Sequence, residues 1–194
     1  GLLPREGVAT DIKWIEINSC YIFHPLNAYD APDGTVVLDA ARHEKMFDVE
    51  QRGPNEGFPT LDRWVLNPKT GKATEQRLDD RPQEFPRMNE SLIGMQHNFG
   101  YLAGISDVFR QADLIKQDLA KKTTQVRHDG ENFGYGEPVF IARNDAKSED
   151  DGYVMALRHN TETDLSDLVV LDAQDFCGEP VAIVQLPARV PNGF

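Results

Sequence analysis

Cysteine is nearly absent: two occur in 194 residues, Cys20 and Cys177, far apart and each inside an apolar stretch. Disulfide-stapled secreted scaffolds use dense pairs and zinc sites use closely spaced ones, so the chain fits neither class. The two read as buried, reduced thiols in a cytoplasmic setting. Long hydrophobic runs are also missing. The longest uninterrupted one, Tyr153 to Leu157, falls far short of the roughly 20 residues that cross a bilayer. Residues 1–20 carry charges throughout and hold no apolar signal-peptide core, so the chain reads as soluble. Basic residues are the minority charge. Twenty Lys and Arg stand against 32 Asp and Glu, a formal charge of -12. That is the wrong sign for a surface that collects phosphate backbones, and no nucleic-acid partner is expected. Local signatures of chemistry are missing as well. None of the five histidines (His24, His43, His97, His128, His159) pairs with another at i, i+4, and there is no Cys-x-x-Cys, G-x-S-x-G, P-loop or G-x-G-x-x-G. The acidic run Ser148 to Asp151 lacks the spaced ligands of an EF-hand and reads as a solvated turn.

What is present is a chain of one-domain length with 40% hydrophobic and 27% charged residues, which is a globular composition. Short apolar or alternating runs dominate: residues 12–17, 20–23, 36–38, 61–66, 138–142, 153–157, 168–171 and 181–186, each bounded by Gly, Pro, Asn or Asp. These predict strands. Asn67 to Lys72, with Pro68 and Gly71, predicts a turn joining 61–66 to 73–78 as a hairpin. A similar unit spans Asp113 to Val126 and turns at about Ala120 to Lys122, and the last 40 or so residues read as an antiparallel meander. Helical evidence is poor. Ser106 to Lys121 has some helical spacing, but Asp113 to Leu119 alternates equally well and no amphipathic segment carries clear caps. Many short strands punctuated by 15 Gly and 12 Pro predict an all-β sandwich, barrel or propeller, and periodicity does not choose among them. No repeat marks blades and no linker splits the chain.

Three residues carry candidate chemistry. His24 ends the run Cys20 to Phe23 ahead of Pro25, where a strand is expected to leave the core. From its surroundings alone, a hydrogen-bonded structural role is the commoner one for such an imidazole. The other four histidines have polar neighbours and read as surface residues. Glu84 precedes Phe85 and Pro86, and Glu137 precedes Pro138 and the run Val139 to Ile141, so each carboxylate enters a strand beside bulky apolar side chains. A buried carboxylate needs a partner, and a salt bridge or an exposed strand start is the plain alternative.

Five stretches change that balance: F-H-P-L-N-A-Y-D at 23–30, E-F-P-R-M-N at 84–89, G-E-P-V-F-I at 136–141, E-D-D-G at 149–152, and L-V-V-L-D-A through R-V-P-N-G-F at 168–194. In this order and over nearly the whole chain, they resemble the carotenoid cleavage oxygenases, a family that includes lignostilbene dioxygenases and the retinoid isomerase of the retinal pigment epithelium. The resemblance implies an all-β fold, part of a seven-bladed β-propeller with about half of its blades, and a ferrous ion on the axis held by four histidines. It also implies oxidative cleavage of a conjugated double bond of a carotenoid, apocarotenoid or stilbene-like substrate by dioxygen, giving two carbonyl products. His24 matches one iron ligand. Glu84 and Glu137 match carboxylates that accept a hydrogen bond from iron-bound imidazoles, a contact that orients the ring and makes it more basic. No residue beyond this metal site is assigned to catalysis, and Phe23, Phe85 and Phe133 read as core rather than substrate wall.

The departures from the family pattern shape the expectation further. Two family ligands precede the F-H-x-x-N-A-Y segment and a fourth follows R-V-P-x-G-F, so His24 alone is expected here. Residues 1–194 then read as a single partial propeller domain, truncated at both ends, whose partners are an apolar polyene and the N-terminal part of the enzyme. Peripheral membrane contact fits lipid substrates. On its own the chain is expected to be inactive. Other classes remain open: a non-catalytic propeller fragment or interaction module that has lost the iron site, or an intact small β domain that shares ancestry only.

Overall fold

The computed structural model describes residues 1–49, 51, 56–107 and 110–191. Among them are thirteen strands, two three-residue 3-10 turns and no α-helix. The strands form three antiparallel sheets in chain order. The first is β1 (Pro25–Asp30), β2 (Val36–Arg42), β3 (Thr60–Asn67) and β4 (Lys72–Asp79). The second is β5 (Gln83–Arg87), β6 (Phe99–Asp107), β7 (Arg110–Asp118) and β8 (Thr123–Arg127). In the third, β9 (Phe133–Tyr135) and β10 (Val139–Ala142) both pair with β11 (Gly152–Asn160), which continues to β12 (Leu165–Asp172) and β13 (Ala182–Gln185). Each sheet is an up-and-down meander, and together they are blades of a β-propeller.

The middle sheet explains how the blades hold together. Successive residues of a strand point to opposite faces. On β6, Tyr101 enters a core shared with Tyr135, Phe140, Val154, Val169 and Phe176 of the third-sheet side, while its neighbour Leu102 enters one shared with Leu26 and Leu61 of the first sheet. On β7, Leu114 and Ile115 divide in the same way. A sheet buried on both faces needs apolar residues at consecutive positions, so period-two alternation is lost. Accordingly β6 shows no period-two pattern, and the ambiguous stretch Ser106 to Lys121, of which residues 108 and 109 lie outside the described residues, carries the end of β6, then β7 and the turn after it.

Both hairpins form where expected. Gly71 sits at φ +68, the left-handed position that glycine tolerates, and the Asn67 side chain accepts from the backbone of Lys69 and Thr70. The second turn, ahead of β8, places Lys122 at φ +56. Two predicted strands do not form. Residues 12–17 alternate in sequence, yet only Lys13 bridges, to Leu2, and Trp14 is 78% exposed: none of the six is buried, so the alternation has no core face to fix it as a strand. Residues 20–23 make a single bridge, Tyr21 to His43, and the strand begins after them at Pro25. Two further expectations are overturned. Cys177 is exposed and Cys20 only partly buried, although both are free thiols. Ser148 to Asp151 is a clasp rather than a solvated turn. The Glu149 carboxylate accepts from the backbone of Asn98 and Phe99 and from the Asn98 side chain, and Asp150 holds buried Lys116 at 2.8 Å. The motif R-V-P-N-G-F at 189–194 lies partly outside the described residues. No helix among the described residues is long and apolar enough to cross a membrane.

Candidate functional site

His24 stands one residue before β1, and the end of β2 fixes its main chain. The His24 carbonyl accepts from Ala41 N at 3.1 Å, and Tyr21 and His43 exchange both backbone hydrogen bonds at 2.9 Å. The imidazole is thus presented at the entry to a strand, not at the exit from one. Its ring meets Glu84, the second residue of β5, with Nδ1 and Oε2 2.8 Å apart. Glu84 is buried, its side chain 6% exposed, while the His24 side chain is 32% exposed.

Glu84 does more than face one ring. Its Oε2 also accepts from the backbone N–H of Phe85, and its Oε1 faces Nε2 of His43 at 3.3 Å. Turning the Phe85 amide onto the preceding carboxylate breaks the ladder: the β5–β6 register shifts between Glu84 and Arg87, and Phe85 adopts φ +54. A left-handed aromatic residue costs on the order of 1–3 kcal/mol, and such strain clusters at functional sites. The displaced Phe85 ring packs against His24 at 5.0 Å between centroids. As a carboxylate receiving three donors, Glu84 holds His24 as the Nδ1–H tautomer, which leaves the lone pair on Nε2.

His43 and His97 overturn the surface assignment, since they are 4% and 3% exposed. A signal for His43 was present. Residues of one parity on β2 and just beyond it, Val37, Asp39, Ala41 and His43, are all buried, so extending the period-two pattern from Val37 would have placed His43 inside. His97 lies in a separate polar core. The Asn27 amide faces its Nδ1 at 3.2 Å, its Nε2 is 3.5 Å from Asp39, and Tyr29 meets its ring edge to face. Arg63 clasps Asp39 through both oxygens at 2.6 and 2.7 Å. Burial pushes the His97 imidazole below its ordinary value against the opposing pull of Asp39. Asn27 also donates to the carbonyl of Met95 and accepts from Gly94, which secures the loop that carries His97. His128 is 51% exposed on Asp113, and His159 is half-buried beside Asp164.

The structure separates the two glutamates. Glu137, two residues ahead of β10, is 43% exposed and its partner is Arg87 at 3.3 Å. Arg87 belongs to β5, like Glu84, and also holds Glu90. His24 and Glu84 are therefore brought together as a pair, whereas Glu137 meets a guanidinium on the surface.

The donor set can be tested against a metal. One imidazole with Nδ1 committed to a carboxylate and Nε2 available is the form in which histidine ligates. Among the described residues no group of three or more His, Cys, Asp or Glu side chains converges on one point, so these residues fit a metal as the source of a single ligand.

Three blades and an oriented histidine define a propeller protein with a ligand-type imidazole, and comparison with known proteins supplies the family. The model of the retinal pigment epithelial membrane protein family matches residues 1–194. The chain belongs to that family, the carotenoid cleavage oxygenases. It is 42% identical over 205 residues to the carotenoid cleavage oxygenase of Mycobacterium tuberculosis, covering 100% of this chain and 40% of that protein. Identity to carotenoid 9,10(9',10')-cleavage dioxygenase 1 of Arabidopsis thaliana is 32% over 215 residues, covering 100% and 39%. The crystal structure of the cobalt-substituted Synechocystis apocarotenoid oxygenase matches at a TM-score of 0.89 with 26% identity, covering 97% of this chain and 41% of that one. The chain spans about 40% of the length of these relatives.

Proposed function

We propose that this chain is part of a non-haem iron(II) dioxygenase that cleaves a conjugated C=C bond of a carotenoid, apocarotenoid or stilbene-like substrate into two carbonyl products. The observation that carries the reading is the His24–Glu84 pair at 2.8 Å, buried on the carboxylate side and open on the imidazole side. His24 would give Nε2 to iron, and Glu84 would hold its other nitrogen. Iron, when bound, supplies the activation of dioxygen beside the polyene. Glu137 would orient a second imidazole contributed from outside the described residues, exchanging its Arg87 contact for that ring. A cytoplasmic setting, an apolar polyene as partner and peripheral contact with a membrane belong to the same proposal, with the two free thiols in support of the first.

The test uses the full open reading frame that carries these residues. His24→Ala is expected to lower iron content and abolish cleavage of an apocarotenal, whereas His128→Ala and His159→Ala keep most activity. Wild-type iron and turnover in His24→Ala would overturn the reading.

A further inference from the structure

We propose that His43 is a positioning residue for His24 that acts through Glu84. The inference deepens the metal reading and rests on it. Glu84 Oε2 serves both His24 Nδ1 and the Phe85 amide, while Oε1 receives its hydrogen bond from His43 Nε2. The last torsion of a glutamate joins an sp3 to an sp2 carbon and is soft. Two donors on Oε2 alone hold the carboxylate plane only loosely. A donor on the other oxygen sets its plane, and with it the direction of the bond to His24.

Among the described residues, Glu84 is the one hydrogen-bond partner of the His43 ring. Its backbone is locked to Tyr21 on both sides, and the Phe23 ring closes on it edge to face at 5.3 Å. Its Nδ1 is buried without a hydrogen-bond partner among the described residues. Leaving a buried polar atom unpaired is costly, and a residue kept for packing alone would avoid that cost by being apolar. The contact with Glu84 offsets that cost. It also assigns the tautomer: Nε2 carries the proton toward the carboxylate, and His43 has no lone pair to offer a metal on that side.

The experiment is cobalt(II) binding to the full open reading frame, read by competition with a chelator and by the visible ligand-field bands of the bound ion. His43→Leu should weaken cobalt affinity about tenfold, the lower end of what loss of a ligand-orienting partner costs, and should shift the bands. Because removal of a buried donor can harm folding, His43→Gln and His43→Asn form the deciding pair. Both are amides of similar polarity, but only the longer one places an N–H where Nε2 stood. His43→Gln should restore wild-type affinity and bands, and His43→Asn should not. If both amides bind cobalt as wild type does while Glu84→Gln and His24→Ala lose it, the positioning role fails and the metal reading stands. Should His24→Ala bind cobalt as tightly as wild type, both fall together.

Discussion

Glu84 and Glu137 share a local sequence, a glutamate just ahead of a proline and bulky apolar residues, yet they end in opposite environments. Glu84 lies inside the joint between the first and second sheets, where two imidazoles and a strained backbone amide converge on its two oxygens. Glu137 lies on the surface against Arg87. The difference is topological. β5 opens the second sheet against the end of β2, so a side chain at its second position faces the first sheet, whereas the approach to β10 meets β5 at its last residue, Arg87. A carboxylate that cross-links sheets contributes to fold and chemistry together; one held on the surface can contribute to chemistry alone.

The contrast can be broken most sharply at the metal. In the full open reading frame, Glu84→Gln and Glu137→Gln should each lower iron affinity or turnover by roughly 10- to 100-fold, provided each serves an imidazole. Wild-type iron content and rate in either variant would remove that residue from the site. Stability should then tell the two apart. Glu84→Gln replaces an acceptor-only group by one that must aim an NH2 at existing donors, at a cost of about 1–3 kcal/mol in urea unfolding. Glu137→Gln removes one surface ion pair and should stay within about 0.5 kcal/mol. Equal losses would mean that the environments differ less than their geometry indicates.

A smaller effect concerns pH. The buried face of β2 that leads to His43 also carries Asp39, beside His97, whereas the Glu137 side chain is 43% exposed. His97 is held below its ordinary value of 6.5 mainly by burial. The unfolded chain therefore binds the proton first. The stabilising contribution of neutral His97 is complete above about pH 6.5 and is lost as pH falls through the lower folded-state value, with a slope of at most about 1.4 kcal/mol per pH unit. His97→Gln should flatten the stability profile in that window and leave it unchanged above. An unchanged acid slope in His97→Gln would show that other groups carry it.

Much of the fold was legible because β3, β4, β11 and β12 border on turns with Gly or Asn, and β7 and β8 read as a hairpin about Ala120 to Lys122. β1 and β6 were not. β1 begins with Pro25 and carries buried Asn27, a polar residue whose partners Leu92, Met95 and His97 are remote in sequence. β6 is apolar on both faces because sheets lie on both sides of it. At the site, the motif resemblance singled out His24 and Glu84, and the structure joins them. His43 was set aside because its sequence neighbours Arg42, Glu44 and Lys45 are charged. Its burial follows from strand parity and from the approach of β5, and neighbour polarity reports neither. The same limit made Glu84 and Glu137 look alike, since partners 41 and 60 residues away along the chain decide the first and a partner 50 residues away decides the second.

The smallest predicted effect examines the surface side of the contrast by itself. Arg87 is 37% exposed and divides its guanidinium between Glu137 and Glu90, which are 43% and 58% exposed. Water screens such pairs, and ordering long side chains costs entropy that their attraction barely exceeds. Arg87→Ala should therefore change unfolding stability by no more than about 0.5 kcal/mol, although Arg87 sits only three residues from Glu84 on the same strand. Iron affinity in the full open reading frame should hold or rise slightly, because Glu137 would no longer have to leave a cation to reach an imidazole. A stability loss comparable with that of Glu84→Gln would show that Arg87 clamps β5 to the approach of β10. Glu137 would then be a second cross-link between sheets, and the distinction between the two glutamates would lie in their partners rather than in their depth.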